Sequence, residues 1–182
     1  MNQQRIKVVV AALTLSFAAA VNIAVHEGYT TNAVIPTEGD VPTYGYGSTV
    51  KPDGSRVRMG ERTDPVNALK TMHAHLSREE KIFRDSLPGV EMTQAEYDNW
   101  MQFVYNFGAG NWMKSSMRRE LMAGNPRAAC DALLKYRYAA GYDCSTRING
   151  QPNKRCWGVW IRQQERHAQC LEAIPPRRCS WR

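Results

Sequence analysis

Val8 to Val25, eighteen consecutive residues reading VVVAALTLSFAAAVNIAV, carry no charge, and the body of the chain begins directly behind them with no linker. A basic start, Arg5 and Lys7, precedes the segment. Its length is near the roughly 20 residues needed to cross a bilayer. Its apolar character is weak: six of the eighteen positions are Ala, and Thr14, Ser16 and Asn22 interrupt it. Two arrangements fit. One is an export signal cut at a small residue among Ala18 to Ala20. The other is an uncut signal anchor that leaves Met1 in the cytoplasm and the rest outside. A cut after Ala20 would leave Glu27 as the seventh residue of the mature chain, without most of any helix that ended on it. An uncut segment that spans first and later folds as the first helix avoids that loss. The expected organisation is therefore an anchor over 1–25 and one domain over 26–182. The chain has 182 residues, enough for an ordinary core.

Lys and Arg number 24 against 17 Asp and Glu, a net charge of +7, which favours an anionic partner. The basic residues are scattered, with local pairs such as Arg118-Arg119 and Arg177-Arg178. There is no Lys/Arg tract and no aromatic–basic alternation, so nucleic acid is not the expected partner. Five cysteines, Cys130, Cys144, Cys156, Cys170 and Cys179, sit in the C-terminal third without a C-x-x-C pair. That spacing argues against a zinc ribbon. Behind an export-like N-terminus they read as disulfides, with one thiol left over. Five reduced, buried thiols in a cytosolic protein are the alternative.

Behind the anchor, Tyr44 to Ser48 and Ser55 to Arg58 alternate around the turn Lys51-Pro52-Asp53-Gly54, so residues 43–60 are expected to form a small antiparallel hairpin or sheet. Everything after it reads as helical. Thr63-Asp64-Pro65 opens a helix carried by Val66, Leu69, Met72 and Leu76 to Leu87-Pro88-Gly89. Thr93-Gln94-Ala95-Glu96 is a capping box in front of Trp100, Phe103, Val104 and Phe107, and Gly108 and Gly110 close that helix. Further helices start at Ser115-Ser116 and at Asn125-Pro126, and the last runs over Val159–Ala173. A Gly- and Asn-containing loop is expected over about 139–155. With no βαβ alternation the class is α+β.

No phosphate loop of the G-x-x-x-x-G-K type is present, and His26, His73, His75 and His167 form no H-E-x-x-H pair. No metal or cofactor is expected. His73 and His75 face different sides of a helix and read as surface residues. What remains is His26 to Ser48, with Glu27, Glu38, Asp40 and several hydroxyls around a Gly-punctuated turn. Taken by spacing alone, Glu27 is equally well a solvated carboxylate at a helix end.

Several motifs occur in one order: Glu27-Gly28, Thr43-x-Gly45-x-Gly47, Phe103-Val104-Tyr105-Asn106-Phe107-Gly108, Ser115-Ser116-Met117-Arg118-Arg119-Glu120-Leu121, and Gly158-Val159-Trp160 with Arg162, Glu165-Arg166 and Cys170. Through them the chain resembles the phage-type lysozymes, glycoside hydrolase family 24, from His26 to about Leu171. Its N-terminus resembles the signal-arrest-release endolysins, whose weak anchor later leaves the bilayer. The resemblance implies a lysozyme-like α+β fold, with a small β-hairpin lobe and a larger helical lobe flanking a cleft for a peptidoglycan strand. It implies hydrolysis of the β-1,4 bond between N-acetylmuramic acid and N-acetylglucosamine, with Glu27 as general acid. Thr43, before the Gly-x-Gly, would hold the attacking water. Tyr46, Asn106, Phe107 and Arg119 would face the cleft or its hinge and bind substrate. The location implied is the host inner membrane, then the periplasm.

The sequence departs from the family at one point. The family's second acid is expected nine residues after Glu27, where Pro36 stands. Asp40, three residues before Thr43, is the preferred replacement. Glu38, or Thr37 and Thr43 without a base, are the alternatives. A lytic transglycosylase, or a non-catalytic wall-binding protein on the same fold, are the rival functions. The fold also implies the pairs Cys144–Cys156, stapling a loop, and Cys130–Cys170, joining two helices, with Cys179 over.

Overall fold

A computed structural model of the protein describes residues 6–36, 39–139 and 141–175. Thr37, Glu38 and Cys179 lie outside the described residues. The central element is α3, Gln94–Phe107. The Thr93 hydroxyl accepts from the Glu96 N–H at 3.2 Å and the Glu96 carboxylate accepts from the Thr93 N–H at 2.8 Å, so the capping box is closed. Behind it Tyr97, Trp100, Met101, Phe103 and Val104 are fully buried, the spacing of a helix surrounded by others.

Four helices pack around α3, three of them from the chain behind the N-terminal segment. α2, Pro65–Asp85, starts at an Asp64 cap with Pro at its first position and brings Phe83 edge-on to Tyr97. α4, Ala109–Lys114, brings Trp112 against Phe83 and Trp100. α7, Trp157–Ala173, closes the far side and carries Cys170, bonded to Cys130 of α6, Pro126–Ala132. α5, Ser116–Met122, packs on α6. The second disulfide is Cys144–Cys156. Both expected pairs are present.

The apolar N-terminal segment is built into this lobe. β1, Val8–Val9, pairs antiparallel with β4, Glu91–Met92. Val10 and Leu13 join the main core. α1, Phe17–Glu27, is capped by Ser16, and Asp98 of α3 accepts both the Ser16 N–H at 3.0 Å and its hydroxyl at 2.6 Å. Glu80 accepts the Leu15 N–H at 2.6 Å, and Gln94 donates to the Thr14 carbonyl at 2.8 Å. α1 buries Ala19 and Ile23 and leaves Phe17, Val21 and Val25 exposed. Among the described residues no helix is long and apolar enough to cross a membrane.

The β-lobe differs from expectation in its pairing. β3, Thr43–Gly45, pairs backward with β2, Thr30–Val34, while among the described residues those further on contribute the isolated bridges Tyr44↔Ser48, Val50↔Arg56 and Asn32↔Arg62. β2 buries only Ala33, so it carries no alternating apolar signal. The expected loop over 139–155 contains two hairpins, β5 Tyr138–Ala139 with β6 Tyr142–Asp143, and β7 Arg147–Ile148 with β8 Gln151–Pro152. Two-residue strands are too short for periodicity to reveal. Guanidinium groups cover neighbouring aromatic rings, Arg155 at 4.4 Å from Tyr142 of β6 and Arg147 of β7 at 5.4 Å from Trp157 at the start of α7. α4 is a further difference, since the sequence signals end the helix at Gly108. Gly108, at φ 79°, ends α3 and restarts the helix, and the Glu79 carboxylate accepts the Ala109 N–H at 2.5 Å.

Candidate active site

Glu27 is the last residue of α1, and Gly28 behind it takes the left-handed φ of 70° that ends the helix. The side chain therefore leaves the helix where the chain turns into the β-lobe. It forms part of the wall of a cleft of about 820 Å³ between the two lobes. Gly47 to Val50 and Gly54 form the β-lobe wall. His75, Arg78 and Glu79 of α2 and Tyr105 to Phe107 of α3 line it from the helical lobe. Val159, Arg162, Gln163 and Arg166 of α7, with the exposed Tyr138 and its neighbour Ala139, complete it.

One carboxylate oxygen of Glu27, Oε1, accepts a hydrogen bond of 3.1 Å from Asn106 Nδ2. The other, Oε2, lies against the backbone of Gly47, where an added Cβ would fall 2.8 Å away. Asn106 Oδ1 in turn accepts from Arg166 Nη2. Arg166 is buried, and burial together with the neighbouring Arg162 pushes its guanidinium down to about 10. Burial raises the Glu27 carboxyl above its ordinary 4.5, against the opposing pull of Arg162, Arg166, His26 and the Asn106 hydrogen bond. A carboxyl held protonated into higher pH is suited to giving up a proton to a leaving group. A second, smaller cavity of about 200 Å³ lies behind Glu27 and shares Asn106, Arg162 and Arg166 with the cleft.

The structure brings Glu27, Asn106 and Phe107 together in the cleft, as expected. Tyr46 does not line it. Its ring packs against the core formed by Ile23, Met72 and Leu76, and its carbonyl accepts from the Tyr105 hydroxyl at 2.9 Å. That bond joins the β-lobe to α3. Arg119, on α5, is outside the cleft and lies 3.9 Å from Glu120. Thr43 begins β3 with its hydroxyl toward the Val34 carbonyl at 3.5 Å, and Asp40 is exposed in the turn before it. Neither lines the cavity. Pro36 is exposed, at the place where a carboxylate was expected.

Sequence reasoning missed His75 as a cleft residue. It is half-buried, packed edge-on to Tyr105 at 5.4 Å, and burial lowers its pKa. It also missed the role of the α7 cations. Their signal was available: Arg162 and Arg166 are four apart and so share one helix face. A hollow of similar size, about 780 Å³, lies between Tyr29, Tyr44 and Lys70, and Asp64 there is committed to capping α2.

The fold matches solved phage endolysins over nearly their whole length. An endolysin from Escherichia coli O157:H7 phage FAHEc1 superposes with a TM-score of 0.71 at 22% identity, covering 91% of this chain and 98% of that one. A P22 lysozyme variant gives a TM-score of 0.66 at 23% identity, covering 87% and 99%. Fold and cleft together are those of the lysozyme class of glycoside hydrolases. In sequence, the chain is 30% identical over 99 residues to the endolysin of Salmonella phage P22, covering 54% of this chain and 67% of that protein. It is 32% identical over 110 residues to a SAR-endolysin of Enterobacteria phage H19B, covering 54% of this chain and 59% of that one. The phage lysozyme family pattern matches residues 24–157. The chain belongs to the phage lysozyme family.

Proposed function

We propose that the protein is an endolysin that hydrolyses the β-1,4 bond between N-acetylmuramic acid and N-acetylglucosamine in peptidoglycan, with Glu27 as the general acid. The observation that carries this reading is the Glu27 carboxyl on the cleft wall, bonded to Asn106 and raised in pKa by burial. Glu27 protonates the glycosidic oxygen. Thr43, at the start of the strand that leads to Gly47, and Asp40, in the turn before it, hold and activate the attacking water from the opposite face. Phe107 supports the glycan along the cleft, and Tyr46 steadies the hinge beside it. The +7 charge draws the protein to an anionic wall. Relatives named as SAR-endolysins support a tether at the inner membrane through Val8 to Val25, followed by release to the periplasm.

Asp40→Asn is expected to lose most lytic activity while Glu38→Gln keeps it; near-normal lysis by Asp40→Asn rejects Asp40 as the base. One observation favours a second reading: neither Asp40 nor Thr43 lines the cavity with Glu27. A lytic transglycosylase needs only the acid and leaves an anhydro-sugar. Mass spectrometry of the glycan ends separates the two. Reducing ends support hydrolysis, and 1,6-anhydro ends overturn it.

A further inference from the structure

We propose that Asn106, with its amide held by Arg166, decides which oxygen of Glu27 carries the acid proton, and that this oxygen is Oε2. The inference rests on Glu27 being the general acid.

Arg166 fixes the orientation of the Asn106 amide. A guanidinium has donors and no acceptor. Its Nη2 meets the Asn106 side chain, and only the amide oxygen can accept there. A flipped amide would set its NH2 against the guanidinium, donor to donor. The orientation is therefore fixed by the chemistry of the partner rather than by a choice of labels. Arg166 is 8% exposed, and its guanidinium carbon lies 5.8 Å from the centre of the Phe107 ring, so it has little freedom to let the amide turn.

With Oδ1 committed, Nδ2 is the group left for Glu27, and it donates to Oε1 at 3.1 Å. A proton on Oε1 would oppose that donor. The proton belongs on Oε2, which takes no hydrogen bond from the described residues and lies beside Gly47, where no side chain intervenes. Gly47 and Glu27 both line the cleft. In the reaction the Oε2–H bond breaks and the proton passes to the glycosidic oxygen. That oxygen takes the electron pair of the breaking C–O bond, and water forms the new bond at the sugar carbon while giving up a proton to Asp40, the proposed base. Glu27 is left as a carboxylate. The Asn106 N–H then becomes a charge-assisted bond and strengthens as the proton leaves. One amide therefore aims the proton in the ground state and stabilises the charge that follows.

The groups facing Glu27 are His26 on its own helix, Tyr105 on α3, and Arg162 and Arg166 on α7. His75, Arg78 and Glu79 of α2 share the cavity. None of them offers Oε1 a second donor among the described residues.

The test is a double-mutant cycle on purified peptidoglycan with Asn106→Ala, Arg166→Lys and the pair. Asn106 itself is exposed, and a cooperative melt of each variant verifies that the fold is kept. Asn106→Ala should lower kcat by about 100-fold, the low end of acid–base contributions, with KM changed less than about twofold. Arg166→Lys keeps the charge and loses the planar fork. It should lower kcat in the otherwise wild-type protein and cause no further loss in the Asn106→Ala background. The alkaline limb of the kcat profile should move up in Asn106→Ala, because a donor to the carboxylate is gone. Additive losses, a change mainly in KM, or a limb that moves down each overturn the proposal. Should Arg166→Lys fail to fold, Asn106→Asp decides in its place: it keeps size, cannot donate as a carboxylate, and should move the limb further up than Asn106→Ala. Glu27→Gln in the same assay tests the acid itself. If it stays active, the proposed function fails. If it is inactive while the cycle is additive, only the positioning role of Asn106 fails.

Discussion

Gly47 and Glu27 are packed so closely that a Cβ on the glycine would fall 2.8 Å from Oε2 of the carboxylate. The β-lobe thus touches the helical lobe's acid through bare backbone. Gly47 also holds φ at 70°, a conformation that costs a residue with a side chain about 1 kcal/mol or more. Gly47→Ala is expected to lower Tm modestly and to reduce lysis at least about tenfold, because the methyl group displaces Oε2, the oxygen proposed to carry the proton. Thermal melting and turbidity loss, read together, check this. A variant that is less stable yet fully active would show that the contact does not set the position of the acid.

The raised pKa of Glu27 has a consequence for stability. The folded protein holds this proton more tightly than the unfolded chain does. The contribution is fully present below the unfolded value and is lost as pH rises through the folded one. Glu27→Gln removes that loss. Its Tm should exceed that of the wild type at pH 7 and approach it near pH 4, which melting curves at the two pH values can test.

Asp98 holds the start of α1 through two hydrogen bonds to Ser16, and α1 ends on Glu27. Asp98→Ala leaves those donors with water and loosens the capped end of the helix, at a cost of about 1–2 kcal/mol. Hydrogen exchange should rise along Phe17 to Glu27 before it rises in α3. Activity should fall with it, since Glu27, the proposed acid, is placed only while α1 is docked.

The two disulfides should differ in weight. Cys130–Cys170 closes a separation of 40 residues and Cys144–Cys156 one of 12. The loop-entropy relation makes the longer bridge worth about 1 kcal/mol more. Cys130 and Cys170 are also fully buried in the main core, so their replacement by Ala opens a cavity as well. Denaturant unfolding of the two double-Ala variants should show the larger loss for the first pair.

Much of the helical lobe was legible because its signals are local. The Thr93–Glu96 box, the Asp64-Pro65 start and the Ser115 cap all sit within one turn of the helices they open. The β-lobe was less legible, because β2 gains its place from β3, whose residues lie well beyond it along the chain. The hairpins at 138–152 are held by cross-strand pairing, stacked guanidiniums and a disulfide, none of which leaves a periodic trace. At the site, Glu27, Asn106 and Phe107 followed from the motifs. The role of Arg166 did not, because its contact to Asn106 joins residues 60 positions apart. His75 reads as a surface residue in the sequence because helical spacing cannot show that Tyr105 covers it.

The central claim is that Glu27 is the acid that cuts the wall. The most direct measurement is the turbidity of permeabilised Gram-negative cells treated with wild-type protein and with Glu27→Gln, at matched concentration and with folding verified by melting. The amide keeps the shape of the carboxyl and cannot deliver its proton, so lysis should fall by at least about 100-fold while the melt stays cooperative. Lysis by Glu27→Gln within a few-fold of the wild type would contradict the account.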